Sequence, residues 1–379
     1  MPEVTIVGAG PVGMLLAAEL TRREVEVTVL ERRPSAGGGT RAIGIHSPVL
    51  AALEPSGITE RLLAEAVRVR RGEARTRGRV LGTVRFDALS ARFPFVATLP
   101  QAATESVLAA VAPAALRGAH VRAVIPRLGG VVVRSTHLGR VLEHESRVVV
   151  VAGGAAGRDL VYRQGAVRAR EYRDRYLMTD AVAGPRPDSE VAVVHLDPDG
   201  VLESFPLPGG RRRFVAWDDP GADDEPAARA ARLRDALARR GEQAAAAAVA
   251  EATGFGVRRV VAPRLRNGRV FAIGDTAHEV SPIGGQGMNL GLLDAATLAP
   301  LIASWLHTGT PPDQALARWE ARRVASARRA AAMASMNTVL GRPFPCADAL
   351  RRSVVSAMLT GPSGRLFARA YAMDFDADA

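Results

Sequence analysis

The chain has 379 residues, of which 47% are hydrophobic and 23% charged, the composition of a globular protein with one large domain or two ordinary ones. No apolar run reaches the roughly 18 residues of a membrane-spanning helix and no secretory signal opens the chain, so a cytoplasmic protein with no membrane partner is expected. One cysteine excludes a disulfide framework; the 50 basic residues, set against 39 acidic ones for a net charge of +11, are all arginine, which excludes lysine-based chemistry.

The first element is the β-branched run Val4 to Val7. It enters Gly8-Ala9-Gly10-Pro11-Val12-Gly13 and then an apolar helical pattern through Met14, Leu15, Ala18 and Leu20. In such a strand, turn and helix, Gly8 permits the tight turn, Gly10 lets a pyrophosphate approach the backbone, and Gly13 lets the helix pack on the sheet. A second strand, Val25 to Leu30, ends at Glu31, where a carboxylate can accept hydrogen bonds from a ribose. Pro11, Val12 and Arg32 are counted with the expected cofactor-binding residues of this half. This half of the pattern does not decide between FAD and NAD.

Further along, Val148 to Val151 reads as a buried strand. Three strands with turn chemistry between them follow at Val191 to Leu196, Val201 to Leu207 and Arg213 to Trp217, expected to form a sheet over a substrate pocket. Pro226 to Arg240 and the Ala-rich stretch after Gln243 are helical. The strand Val270 to Ile273 ends in Gly274-Asp275, where a carboxylate can hold a polyol such as a ribityl chain. Pro282-Ile283-Gly284-Gly285-Gln286-Gly287-Met288-Asn289 then opens a helix over Leu290 to Leu301, whose N-terminal N–H groups suit the N1–C2=O edge of a flavin. An NAD dehydrogenase has no need of this second element, so FAD is the expected cofactor. From Pro311 onward the pattern is helical, with Leu316, Trp319 and Val324 on a packed face.

The sequence resembles the FAD-dependent aromatic hydroxylases of the para-hydroxybenzoate hydroxylase class, in the short form of quinol hydroxylases and polyketide-tailoring oxygenases. The resemblance rests on Gly8 to Gly13 with Glu31, on Arg41-Ala42, on Leu99-Pro100-Gln101, and on Gly274-Asp275 through Asn289. It implies an α/β fold: a Rossmann-like FAD-binding domain, an inserted β-sheet substrate domain and C-terminal helices. The boundaries expected are an FAD-binding domain over 1–75, 99–165 and 263–310, substrate-domain strands over 76–98, a β-sheet substrate domain over 166–262 and a helical region over 311–379. It further implies that Arg41 lies near the cofactor phosphates and flavin, that Gln101 and Asp275 contact the ribityl region, and that Pro282 borders the reactive face. Gly274, Gly285, Gly287, Met288 and Asn289 complete the cofactor set, and Arg41, His46 and Pro282 are the candidates nearest the chemistry.

The activity implied is NAD(P)H-driven oxygen transfer from O₂, through a C4a-hydroperoxyflavin, to a phenolic, quinone-like or polyketide-derived aromatic ring in specialised metabolism. A Baeyer–Villiger or epoxidising oxygenase, or a non-catalytic FAD-binding partner protein, are the alternatives; a halogenase would need a lysine near the flavin. Where the family has Asp-Gly after its central strand this chain has Gly153-Gly154, and Arg158 is displaced, which puts the nicotinamide contact in question.

The remaining polar residues have ordinary readings. His46 is a structural histidine before it is a catalytic one, and His278 reads as part of the loop that supports the cofactor. His120, His137, His144, His195 and His307 lack metal-ligand spacing, so no metal is expected. Cys346 reads as a small buried side chain, Phe205 and Trp217 as pocket or core residues, and Arg211-Arg212-Arg213 as a solvated hairpin end. Scattered arginines and 4% aromatics do not describe a nucleic-acid surface, and a monomer or homodimer is expected.

Overall fold

Val4–Val7 is buried along its whole length, as a strand covered on both faces must be. It is hydrogen-bonded in parallel to Val27–Glu31 on one side and to Val148–Val151 on the other, with Val4 opposite both Val27 and Val148. The computed structural model that shows this describes residues 2–35, 42–281, 284–344 and 348–376. Val270–Ala272 joins Val148–Val151 in parallel, and the short strands Arg266–Asn267 and Leu116–Arg117 complete a six-stranded sheet. The helix Pro11–Thr21 packs on this sheet and is crossed by a longer helix, Gly287–Thr308. The crossing is close because Gly291 has no Cβ: one there would lie 2.6 Å from Val12 Cγ2.

That second helix is 22 residues long and apolar enough to cross a bilayer, which the expectation of no such run missed. Its apolar surface is spent inside the protein: Leu290, Leu292, Leu293, Leu298, Ile302 and Trp305 are buried in the largest core, with Leu316, Trp319 and Val324 of the helix Asp313–Leu340 against them.

The second layer is larger than the three-strand meander expected at its centre, and strands near the expected 76–98 segment join it. Eight strands run in the order His278–Glu279, Thr253–Val261, Ala169–Val182, Arg211–Asp218, Gly200–Leu207, Val191–Asp197, Arg71–Thr76 and Arg79–Arg85. The strand that sequence patterning missed, Ala169–Val182, is the longest and holds the sheet together by pairing antiparallel with both Arg211–Asp218 and Thr253–Val261. One face packs on the helix Pro226–Ala238 through Leu177, Leu202, Phe214 and Leu233. The other face looks toward the nucleotide sheet. Above it lie the C-terminal helices Asp348–Leu359 and Gly361–Tyr371, seated on Arg79–Arg85 where Gly82 leaves room for Leu359. Separately, 120–127, 130–137 and 140–146 form a three-stranded antiparallel sheet.

The arginine run is not a solvated hairpin end. Arg211 is exposed, but Arg212 and Arg213 are both 2% exposed and point to opposite faces of their strand. Arg212 donates to the Ser204 hydroxyl at 2.7 Å and to the carbonyls of Val191 and Ser204 at 2.7 and 2.9 Å. Arg213 makes a bidentate pair with Asp180 at 2.6 and 2.7 Å. Long-range carboxylates and carbonyls, invisible in the local pattern, make burial of these charges tolerable.

Candidate active site

A single cavity of about 820 Å³ runs between the two sheets. At one end its wall is the turn after Val4–Val7. Gly8 has φ +109°, outside the range comfortable for side-chain-bearing residues, and a Cβ on it would lie 2.4 Å from the Ala152 carbonyl. Gly13 is tighter still, 2.0 Å from the Gly8 carbonyl, whereas a Cβ on Gly10 would meet nothing within 4 Å. Two of the glycines are therefore required by packing, while the third leaves the cavity side of the turn open. The helix beginning at Pro11 presents its N-terminus there, a favourable place for phosphate.

Glu31 closes this turn. Its carboxylate accepts from the Ala9 N–H at 2.7 Å and the Arg33 N–H at 2.8 Å. Burial pushes its pKa up, but these backbone bonds and Arg33 outweigh burial and hold it below the usual carboxylate range. An ionised carboxylate with lone pairs left over is suited to accept from a ribose.

The middle of the cavity is walled by Gly153 and Gly154, by Gly274 and Asp275, and by Gly285, Gly287 and Met288 at the start of the long helix. Asp275 is exposed to the cavity. Its turn is held by a buried network: Asp294 accepts from the Gly274 N–H at 3.0 Å, from His278 Nε2 at 2.5 Å and from Arg323 Nε at 2.8 Å. Burial alone would raise the pKa of Asp294, but His278 and Arg323 lower it overall, so it remains an anion. His278 thus holds this turn through Asp294, a contact that its sequence position did not show. Asp294 and Arg323 carried no local signal. Arg158 also reaches this turn, donating to the Asp275 carbonyl at 2.7 Å and pairing with Glu279 at 3.2 Å.

The predicted cofactor residues Gly8, Gly10, Pro11, Val12, Glu31, Arg32, Gln101, Gly274, Asp275, Gly285, Gly287 and Met288 all line the cavity, and so does His46. Gly13 and Asn289 stand behind the wall. Asn289 is fully buried, accepts from the His46 N–H at 2.8 Å and donates to the carbonyls of Gly44 and Gly285 at 2.8 and 3.0 Å, which clamps two loops together. Arg41, Pro282 and Cys346 lie outside the described residues. His46 is buried and bonded to the Gly285 backbone, and burial lowers its pKa to about 4. At Gly153 a Cβ would lie 3.2 Å from the Gly157 Cα; nearby Asp159 is also part of the cavity wall.

The far end is built from side chains of the eight-stranded sheet. Met178, Val194, Val201, Phe205, Val215 and Phe255 face the cavity, roofed by Val355, Leu359, Phe367 and Tyr371 of the C-terminal helices. Trp217 is not in this wall; it packs in the neighbouring core. Among these apolar groups stands Glu203, 4% exposed and without a hydrogen bond to any described residue. Sequence reasoning passed over it. The available signal was alternation along Val201-Leu202-Glu203-Ser204-Phe205, which puts Glu203 on the same face as Val201 and Phe205.

The FAD binding domain family matches residues 1–334, and the chain belongs to that family. Among curated relatives, the 6-methylpretetramide 4-monooxygenase of Streptomyces rimosus is 31% identical over 96% of this chain and 69% of its own length. The 12-dehydrotetracycline 5-monooxygenase/anhydrotetracycline 6-monooxygenase of Streptomyces rimosus subsp. rimosus is 30% identical over 97% of this chain and 75% of its own. Of solved structures, the anhydrotetracycline hydroxylase OxyS from Streptomyces rimosus superposes with a TM-score of 0.79 at 26% identity, covering 98% of this chain and 76% of that one. The p-nitrophenol 4-monooxygenase of Pseudomonas putida DLL-E4 reaches 0.85 over 100% and 98% at 21% identity, a likeness of fold.

Proposed function

We propose that this protein is an FAD-dependent monooxygenase that uses NAD(P)H and O₂ to hydroxylate a phenolic, quinone-like or polyketide-derived aromatic ring in specialised metabolism. The observation that carries the reading is the continuity of the cavity, with a glycine-built dinucleotide end and an apolar sheet end in one space. The named activities of the relatives support it.

The residues present fit FAD. The side left open at Gly10 admits a pyrophosphate to the backbone, Glu31 receives the ribose, Asp275 the ribityl hydroxyls, and the helix start at Gly287 and Met288 the pyrimidine edge of the ring. Arg41 and Pro282 retain the roles that the resemblance gives them. Bound FAD supplies reduction by NAD(P)H and activation of O₂; the protein orients the ring and excludes water. Asp294, with His278 and Arg323, fixes the turn that carries Asp275. His46, uncharged at neutral pH and bonded to Gly285, supports the loop rather than moving a proton. The net reaction adds one oxygen atom to the ring, reduces the other to water and oxidises one NAD(P)H.

The test is a screen of aromatic compounds for accelerated NAD(P)H oxidation by the holoenzyme, followed by ¹⁸O₂ labelling of the product. One ¹⁸O per product molecule is expected. Incorporation from labelled water instead would overturn the reading.

A further inference from the structure

The substrate end holds a carboxyl that neither the fold nor cofactor binding uses. Glu203 projects from the middle of Gly200–Leu207, flanked in register by Val194 and Val215, with Phe205 next on the same face. The ionisable groups around it are otherwise engaged or uncharged. Arg213, on the adjacent strand, is paired in bidentate fashion with Asp180; Glu73 is paired with Arg75 at 2.7 Å; Tyr176 and Tyr371 are neutral phenols, and Asn337 is the polar residue of the roof. A buried polar group that bonds to nothing costs stability, so its retention in a ligand cavity points to a bond made with the ligand.

We propose that Glu203 determines substrate specificity by donating its carboxyl proton to a carbonyl or hydroxyl oxygen of an uncharged ring lying against the sheet, which makes the substrate class neutral keto- or hydroxy-aromatics rather than aromatic carboxylates. The inference rests on the cavity's reading as the oxygenase site. Three features support it. Burial raises the Glu203 pKa to about 8, so the proton is present at neutral pH. A neutral carboxyl is the one form of Glu that can donate. A carboxylate ligand would enter an apolar cavity in which the neighbouring guanidinium, Arg213, is already taken by Asp180, and an unpaired buried charge is far more costly than a neutral oxygen.

The test uses the FAD-loaded protein and two non-ionising probes of one shape, 1-tetralone and tetralin, followed by perturbation of the flavin spectrum. Wild type should bind 1-tetralone about 5-fold or more tighter than tetralin at pH 7, the size of one neutral hydrogen bond. Glu203→Gln keeps a donor and should keep most of that preference. Glu203→Leu should lose it while binding tetralin as well as wild type. The wild-type preference should also fade as pH rises through about 8, and the Glu203→Gln preference should not. Equal FAD content and a single cooperative melting transition certify that each variant is folded. An unchanged, pH-independent preference in Glu203→Leu, 1-naphthoate binding as tightly as 1-tetralone, or no wild-type response to 1-tetralone at millimolar concentration would each overturn the proposal. Because the readout is binding, it stands apart from turnover: failure of ¹⁸O transfer would break the oxygenase reading and leave the probe preference intact.

Discussion

The two ends of the cavity are built from different parts of the chain. The cofactor end is backbone: glycines at 8, 10, 13, 274, 285 and 287, two helix N-termini, and carboxylates that hold turns in place. The substrate end is side chain: alternate residues of strands far apart in sequence, from Val84 to Phe255, under helices that begin at Asp348. A backbone site needs particular residues at fixed local spacing, because only glycine tolerates the required φ and closeness. A side-chain site needs only the right face of each strand, so its sequence can vary without losing the fold.

This contrast predicts a descending series of effects. The largest falls on Gly13→Ala, whose Cβ would lie 2.0 Å from the Gly8 carbonyl. The turn cannot yield without losing its shape, and FAD affinity should fall by about 100-fold or more, the scale of several kcal/mol of strain, if folded protein is recovered at all. FAD retained per protein after gel filtration, together with circular dichroism, measures both.

Next is Asp294→Ala, which leaves Arg323 and His278 buried around a missing anion. Breaking a buried pair in this way costs about 3–5 kcal/mol. Urea unfolding of the apoprotein should show it, with near-native stability contradicting the network's role. Asp294 also shows how a cofactor site can depend on residues remote from any motif.

The substrate end should respond through pH. The raised pKa of Glu203 means that the folded protein holds a proton that the unfolded chain releases near the ordinary value of 4.5. Its contribution to stability therefore falls as pH rises from about 4.5 to about 8 and is constant beyond. His46 and His195, both lowered to about 4 by burial, act in the opposite direction, costing stability as pH falls from 6.5 toward 4. Glu203→Gln should be more stable than wild type at pH 8 and should move the stability optimum upward. Parallel pH profiles of melting temperature for the two proteins would contradict the assignment. The smallest effect is expected for Asp275→Ala, exposed to the cavity and outside the packed core: about 10-fold weaker FAD binding with unchanged melting of the apoprotein.

The same contrast explains what could be read in the sequence. The Gly8–Gly13 turn, Glu31 and the Gly274-Asp275 turn were legible because each is a local device in which spacing and chemistry coincide. The eight-stranded sheet was seen only where hairpin turns punctuate it. Ala169–Val182 escaped because its charged N-terminal half, Ala-Arg-Glu-Tyr-Arg-Asp-Arg, hides the strand pattern, and Arg212 and Arg213 were misread because their partners Ser204, Val191 and Asp180 come from other strands. Asn289 was expected to bind the cofactor; its amide is consumed by the backbone of residues 44, 46 and 285, a fact of tertiary register. Glu203 carried only its parity along a strand.

The most direct test of a cofactor end made of backbone and a substrate end made of side chains is calorimetric titration of FAD into two apoprotein variants. Gly10→Ala adds a methyl group where the protein itself has nothing within 4 Å, so the fold should be untouched while FAD affinity drops by at least about 10-fold. Glu203→Gln should bind FAD as wild type does. Wild-type FAD affinity in Gly10→Ala, or a comparable loss in both variants, would contradict the account.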